Sequence, residues 1–167
     1  MKPVNYTPAD HSLKGTETLK NLVAAYAAES MAYSRYMFYA SQAEKEGYPP
    51  VAEVFTETAD NELHHAKVFF KFLEDGAEVP VDMSIPAGVI GNTSDNLKEA
   101  AREEEAEGVD AYMKAAAKAR EEDFPEVAEH FEAIASIENM HKDRFDALRK
   151  LVDSGKMWKR DKPIKWQ

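Results

Sequence analysis

Two glutamates, each followed three residues later by a histidine, carry the chemical signal of this chain. They are Glu62 with His65 in DNELHHAKVFF and Glu138 with His141 in SIENMHKDRF. Residues three apart share one face of an α-helix, so each unit points a carboxylate and an imidazole the same way. Anionic oxygen beside neutral ring nitrogen is a donor set for iron, manganese or zinc. His64, next to His65, is turned about 100° off that face and reads as a bystander. One such unit in a glutamate-rich helix is usually a solvated pair. Two at matching places in an internal repeat describe half of a carboxylate-bridged two-metal site, which two further helices complete with a glutamate each.

The repeat appears at a shift of 76 positions, which lays Glu62 on Glu138 and His65 on His141. It also lays Val51-Ala52-Glu53 on Val127-Ala128-Glu129, Phe55 on Phe131, Ala59 on Ala135 and Phe69 on Phe145. Upstream, Tyr36-Met37 meets Tyr112-Met113, and Tyr48-Pro49 meets Phe124-Pro125, whereas His64 meets Met140. The period is too long for a solenoid array. Two copies of a helical hairpin about a pseudo-twofold axis account for it.

The elements that must hold these residues are helical, and strand signals are nearly absent. The first helix is expected from Thr16 to Lys45, with Leu19, Leu22, Val23, Tyr26 and Ala27 on its apolar face. Gly47 and Pro49-Pro50 stop it, and the second runs from Pro50 to Glu74, near Gly76. The segment DGAEVPVDMSIPAGVIGNT is too long for a tight hairpin and reads as a crossover. Helix three starts with Thr93 or Ser94 as N-cap and reaches Glu122; Pro125 opens helix four, and Gly155 closes it. The fold class expected is all-α, a ferritin-like four-helix bundle with one long crossover between helices two and three. Residues 1–15 would be an N-terminal extension, 16–155 the bundle and 156–167 an extended tail.

Helix one supplies an inward carboxylate in Glu29, which lies among alanines and aromatics with no other acid between Glu17 and Glu44. Helix three offers Glu103, Glu104, Glu105 and Glu107, and spacing leaves the choice open; the strict 76-residue shift selects Glu105 as the mate of Glu29. His11 and His130 read as ordinary histidines, and Met31, Met37, Met113 and Met140 as packing residues rather than ligands. A net charge of −10 argues against nucleic acid and anionic membrane as partners. No apolar run approaches the roughly 18 residues of a bilayer span. The N-terminal MKPVNYTPADHSLKG lacks the apolar core of a secretory signal, which fits a cytoplasmic location. Cysteine is absent, so thiolate metal sites and cysteine nucleophiles are excluded.

SLKGTETLKNL, ETADNELHHAKVFFKFLE, PAGVIGNTSDNL and SIENMHKDRF together resemble the rubrerythrins, non-haem di-iron proteins, over residues 12–167. The family's third-helix pattern, two glutamates three apart and a tyrosine five residues later, lands on Glu104, Glu107 and Tyr112. The family often has glycine where this chain has Glu103. Position by position, the resemblance implies seven ligands to two iron ions: Glu29, Glu62, His65, Glu104, Glu107, Glu138 and His141. Glu62 and Glu138 would bridge. One iron would take Glu29 with either Glu107 or His65, changing with redox state, and the other Glu104 and His141. Tyr36 and Tyr112 match tyrosines that hydrogen-bond ligand carboxylates.

The activity so implied is reduction of hydrogen peroxide to water in oxidative-stress defence, with Glu107, His65, Tyr36 and Tyr112 closest to the chemistry. Manganese or zinc could replace iron. The electron donor would be a rubredoxin or rubredoxin-like domain, and the assembly a homodimer or higher homo-oligomer. The tail SGKMWKRDKPIKWQ resembles the segment that leads into such a domain, whose first cysteines would follow Trp166 or Gln167; a removed domain is the expectation. The competing reading is iron oxidation and storage of the ferritin and bacterioferritin kind, whose sites have six protein ligands and lack a counterpart of Glu107.

Overall fold

The structure, a computed structural model, describes residues 11–73 and 78–161. The expected helix-two terminus at Glu74 and Gly76, the Trp166–Gln167 position and most of the N-terminal extension lie outside the described residues. Helix α1 is Glu17–Lys45, with Thr16 as N-cap accepting from the Leu19 amide. Helix α2 is Pro49–Phe72, opened by proline at its first turn. Helix α3, Thr93–Glu104, passes through a π-helical segment, Glu105–Ala111, into α4, Tyr112–Glu121. The α3–π–α4 run is one continuous rod. Helix α5 is Pro125–Asp153. The protein is therefore an all-helical four-rod bundle, with α1 packed along α2 and the third rod along α5. Among the described residues there is no strand, and no helix is long and apolar enough to cross a membrane.

Three sequence expectations change. The N-cap of α3 is Asn92, whose side chain accepts from the Asp95 amide, not Thr93 or Ser94. Asparagine caps as well as serine, and the Thr93 hydroxyl is engaged elsewhere. The buried face of α1 runs through Thr18, Leu22, Ala25, Glu29, Ala32 and Tyr36. Tyr26 is exposed and lies against exposed Phe70 outside the bundle, ring centroids 5.2 Å apart. An inward Glu29 sets that face, and Tyr26, three residues earlier, falls at its edge. Met37, Met113 and Met140 are exposed rather than packed. Met37 and Met113 each follow a buried tyrosine, and one residue turns a helix by about 100°.

The two hairpins are stapled to each other reciprocally. The Glu122 carboxylate at the end of α4 accepts from the Thr18 amide at 2.7 Å and from the Thr18 hydroxyl. Its repeat mate Glu46, just past α1, accepts from the Thr93 amide at 2.8 Å and hydroxyl at 2.7 Å. Each satisfies amides that the first turn of a helix leaves unbonded. The segment after α5 folds back on the α1–α2 turn, where the Arg160 amide donates to the Gly47 carbonyl at 2.8 Å.

The core is split in two by a polar layer. On one side Tyr36, Phe55 and Phe145 form an aromatic triangle with centroids 5.3–6.0 Å apart. On the other, their repeat mates Tyr112, Phe131 and Phe69 form a second, at 5.0–5.6 Å. Each triangle takes its tyrosine from one hairpin and a phenylalanine from each. Offset aromatic contacts of this kind add to plain area burial, and they exclude water above and below the layer between them.

Candidate metal centre

That layer holds Glu29 from α1, Glu62 and His65 from α2, Glu104 from α3, and Glu138 and His141 from α5, all buried. Each Glu-x-x-His unit lies on the inward face of its helix, as a three-residue spacing requires. The six residues fall into two groups of four. Glu29, Glu62, His65 and Glu138 bring ligand atoms within 4.8 Å of one another, and so do Glu62, Glu104, Glu138 and His141. Glu62 and Glu138 belong to both. His65 Nδ1 is 3.0 Å from Glu138 Oε1 and 3.6 Å from oxygens of Glu29 and Glu62. His141 Nδ1 is 3.2 Å from Glu62 Oε1 and 3.5 Å from Glu104 Oε1.

Two tyrosines fix the outer carboxylates. The Tyr36 hydroxyl donates to Glu104 Oε1 at 2.6 Å, and the Tyr112 hydroxyl donates to Glu29 Oε1 at 2.9 Å. Each tyrosine thus reaches across to the glutamate of the other hairpin. Burial, together with the nearby carboxylates, raises both phenol pKa values well above the ordinary range. The hydroxyls therefore stay protonated and stay donors.

Left to themselves, these carboxylates resist ionisation. Burial and the charge of Glu138 raise the pKa of Glu29, and burial and the charge of Glu29 raise that of Glu62 well above its usual value. Burial works against a charge on His65, but hydrogen bonds to Glu138 and Glu29 outweigh it and lift its pKa to about 9. His141 goes the other way, held down chiefly by burial. Buried anions need a counter-charge, and the free valences are in place to receive one. Glu29 Oε2, both oxygens of Glu62, Glu104 Oε2, Glu138 Oε2 and His141 Nδ1 are buried without hydrogen-bond partners. The donor set of four carboxylates and two imidazoles fits two cations of the iron, manganese or zinc class.

The third rod settles which helix-three acids face inward. Glu104 is buried in the layer, whereas Glu105, selected by the strict shift, is exposed. Before the π segment the hairpins match at a shift of 75, as in Thr18 and Thr93, Leu22 and Leu97, Glu29 and Glu104. After it they match at 76, as in Tyr36 and Tyr112, Ala43 and Ala119, Glu46 and Glu122. Glu29 and Tyr36 are seven residues apart, about two α-helical turns. Glu104 and Tyr112 are eight apart, which on a regular α-helix would leave Tyr112 about 80° off the face. The wider π turn, with the Tyr112 amide bonded to the Glu107 carbonyl, absorbs the extra residue.

The π segment also carries Glu107 and Gly108. Glu107 is partly buried and belongs to neither four-residue group; burial and the charge of Glu29 push its carboxyl up to about 8. Gly108 lies against α5 so closely that a Cβ there would stand 2.4 Å from the Cβ of Glu138. The sequence signal for this contact is the glycine itself, since a glycine inside a helical pattern marks a close approach. Among the remaining histidines, His64 is exposed, His130 Nδ1 is bonded to the Glu126 carbonyl, and His11 stacks on Phe124 at 4.1 Å. None of the three joins the cluster.

The rubrerythrin family model matches residues 20–149, and a rubrerythrin of Porphyromonas gingivalis is 47% identical over 161 residues, covering 96% of this chain and 80% of that one. The chain belongs to the rubrerythrin family. A second rubrerythrin, from Nitratidesulfovibrio vulgaris, is 40% identical over 156 residues, covering 93% of this chain and 81% of the relative. Among solved structures, fully reduced all-ferrous nigerythrin superposes with a TM-score of 0.74 at 29% identity, covering 92% of this chain and 76% of that one. Rubrerythrins are di-iron proteins and generally oxidoreductases, with a ferritin-like fold. The aligned region includes all four rods and every residue of the buried layer.

Proposed function

We propose that this protein is a peroxidase of oxidative-stress defence that reduces hydrogen peroxide to water, two electrons and two protons being consumed per peroxide. The observation that carries the reading is the sharing of Glu62 and Glu138 between two ligand groups, with a seventh candidate, Glu107, beside them. Two iron ions would be held by Glu29, Glu62, Glu138 and His65 on one side and by Glu62, Glu104, Glu138 and His141 on the other. When bound, a ferrous pair would supply the two electrons that peroxide reduction takes up.

The chain's own contribution is positioning. Glu62 and Glu138 set the spacing of the two positions. Tyr36 and Tyr112 orient Glu104 and Glu29 through their hydroxyl hydrogens, and the aromatic triangles keep bulk water out. His65 and Glu107 exchange at one position: neutral imidazole suits the reduced pair, and a hard carboxylate the oxidised one. His65 lies in the layer, hydrogen-bonded to Glu138, and Glu107 lies outside both groups. Electrons come from a rubredoxin or a rubredoxin-like domain, and the protein works as a homodimer or higher homo-oligomer in the cytoplasm.

Stopped-flow oxidation of the ferrous protein tests this. Peroxide is expected to oxidise it much faster than oxygen does; equal rates overturn the reading. Because each four-residue group is complete without Glu107, iron oxidation and storage is the second reading. It predicts a large cage by sedimentation and uptake of many irons per chain. Anomalous scattering from the layer would distinguish iron from manganese or zinc.

A further inference from the structure

The outer face of α2, turned away from the carboxylate layer, carries a second pattern. Thr56, Asp60, Leu63, Lys67 and Phe70 are all exposed and follow one another at alternating steps of four and three residues. That spacing is the seam one helix presents to another. Leu63 is 51% and Phe70 55% exposed. Phe70 rests against exposed Tyr26 of α1 at 5.2 Å, and with Ser30 these residues line a groove along the α1–α2 hairpin. Past Ser30 the groove meets a second one, between α1 and the crossover, where Phe38, Ile85 and Val89 are exposed.

The repeat shows that the bundle does not require this stripe. At the 76-residue shift its mates on α5 are Glu132, Ser136, Asn139, Asp143 and Asp146. None is apolar, and two are held in ion pairs, Glu132 with Arg120 at 2.7 Å and Asp146 with Lys142 at 3.1 Å. The α5 stripe is a solvated face. On α2 two of the five positions are large and apolar. Glu57 of the same helix holds Arg144 at 3.1 Å, yet among the described residues no ion pair includes Asp60 or Lys67.

The order of the charges fits one occupant. Asp60 and Lys67 flank Leu63, three residues before it and four after, so the stripe is neutral in a chain of net charge −10. Lay two copies of α2 antiparallel with a twofold axis at Leu63. Asp60 of each copy then faces the partner's Lys67, and Leu63 packs against its own mate. Such self-complementarity is what an isologous contact demands, and opposed charges fix its register. A basic partner would instead be drawn to the acidic remainder of the surface.

We propose that this stripe is a homodimer face, with the twofold axis at Leu63 and Asp60–Lys67 pairs on either side of it. The proposal gives a face and a register to the homo-oligomer inferred above, and it rests on that reading.

Sedimentation of the intact, metal-loaded protein tests it. Asp60→Lys and Lys67→Asp each turn both cross-axis pairs into like-charge pairs. Each alone should halve the assembly, raising the dissociation constant of the contact about 10-fold or more. Mixed in equal amounts, D60K and K67D should associate about as tightly as the wild type, because each pair again joins a lysine to an aspartate. Leu63→Asp, which sets two carboxylates at the axis, should separate the copies most completely. All three positions are exposed, so helicity and metal content should match the wild type. An assembly that survives all three substitutions, or single variants that stay apart on mixing, overturns the proposal. A wild-type protein that sediments as a monomer overturns the homo-oligomeric reading itself.

Discussion

The two hairpins of this bundle are copies of one plan, and they differ where the chemistry needs a difference. In α1, Glu29 and Tyr36 are joined by an unbroken α-helix with Ala32 between them. In the third rod, Glu104 and Tyr112 are joined by the π segment, with Glu107 and Gly108 in the corresponding stretch. The tyrosine hydrogen bonds, the helix staples and the aromatic triangles are reproduced on both sides. One added residue in the third rod leaves that symmetric frame intact, and the segment that houses it carries Glu107, a carboxylate where α1 has Met31.

The severest way to break the comparison is to remove a residue that both halves share. Glu138→Ala or Glu62→Ala takes a donor from both groups at once. Loss of both metal ions by elemental analysis and background peroxide turnover are expected, whereas Glu107→Ala should keep both metals. Retention of one metal by E138A would show that the halves bind independently.

Next comes pH, where the repeat-mate histidines part company. Glu29, Glu62, Glu107 and His65 have folded pKa values above their ordinary ones. The metal-free folded state therefore holds more protons than the unfolded chain, and stability falls as pH rises. The window opens near the ordinary carboxyl value of 4.5 and closes near 9, with Glu107 releasing at about 8 and His65 at about 9. His141, held low, contributes the opposite slope around its ordinary 6.5. Calorimetry of the metal-free protein should show the melting temperature dropping between pH 6 and 9, and metal should flatten the profile, because bound cations replace those protons. A rising metal-free profile would contradict the burial argument.

Tyr36→Phe and Tyr112→Phe test whether the halves are equal in support. Each removes one hydrogen bond to an outer carboxylate, and each should cost about 10–100-fold in metal affinity or activity. Matched losses in metal titrations would mark a symmetric frame, and a large difference would locate the working half. The smallest effects belong to the backbone. Gly108→Ala forces a Cβ to within 2.4 Å of the Cβ of Glu138, and overpacking of this kind costs about 1–3 kcal/mol. The mirror change, Ala32→Gly in α1, should cost about 1 kcal/mol through helix propensity. Denaturant unfolding measures both, and a neutral G108A would mean that the π segment can move off α5.

Most of this could be read from the residues. Glu29 stood alone among apolar neighbours, and Glu62, His65, Glu138 and His141 were paired by the repeat, so their inward placement needed only helical geometry. The choice among the helix-three acids did not follow, because EEEAE carries no periodicity and no single shift fits both ends of the rod. Thr18-x-x-Asn21-Leu22 against Thr93-x-x-Asn96-Leu97 held the missing information: it repeats at 75, not 76. A change of shift within one helix means an extra residue that the helix must house. An ion pair between Arg35 and Glu103 was out of reach because its partners lie 68 positions apart and only packing brings them together.

The staples at Thr18 and Thr93 bear on how such a chain can fold at all. Glu122 adds a second closure to the start of α1 and Glu46 to the start of α3, so each first helix, capped by its own Thr16 or Asn92, also draws on the other hairpin. A hairpin made alone would leave both aromatic triangles incomplete, since each takes a phenylalanine from the other hairpin. Each hairpin thus satisfies amides of its twin's first turn, which ties the ordering of the two starts together.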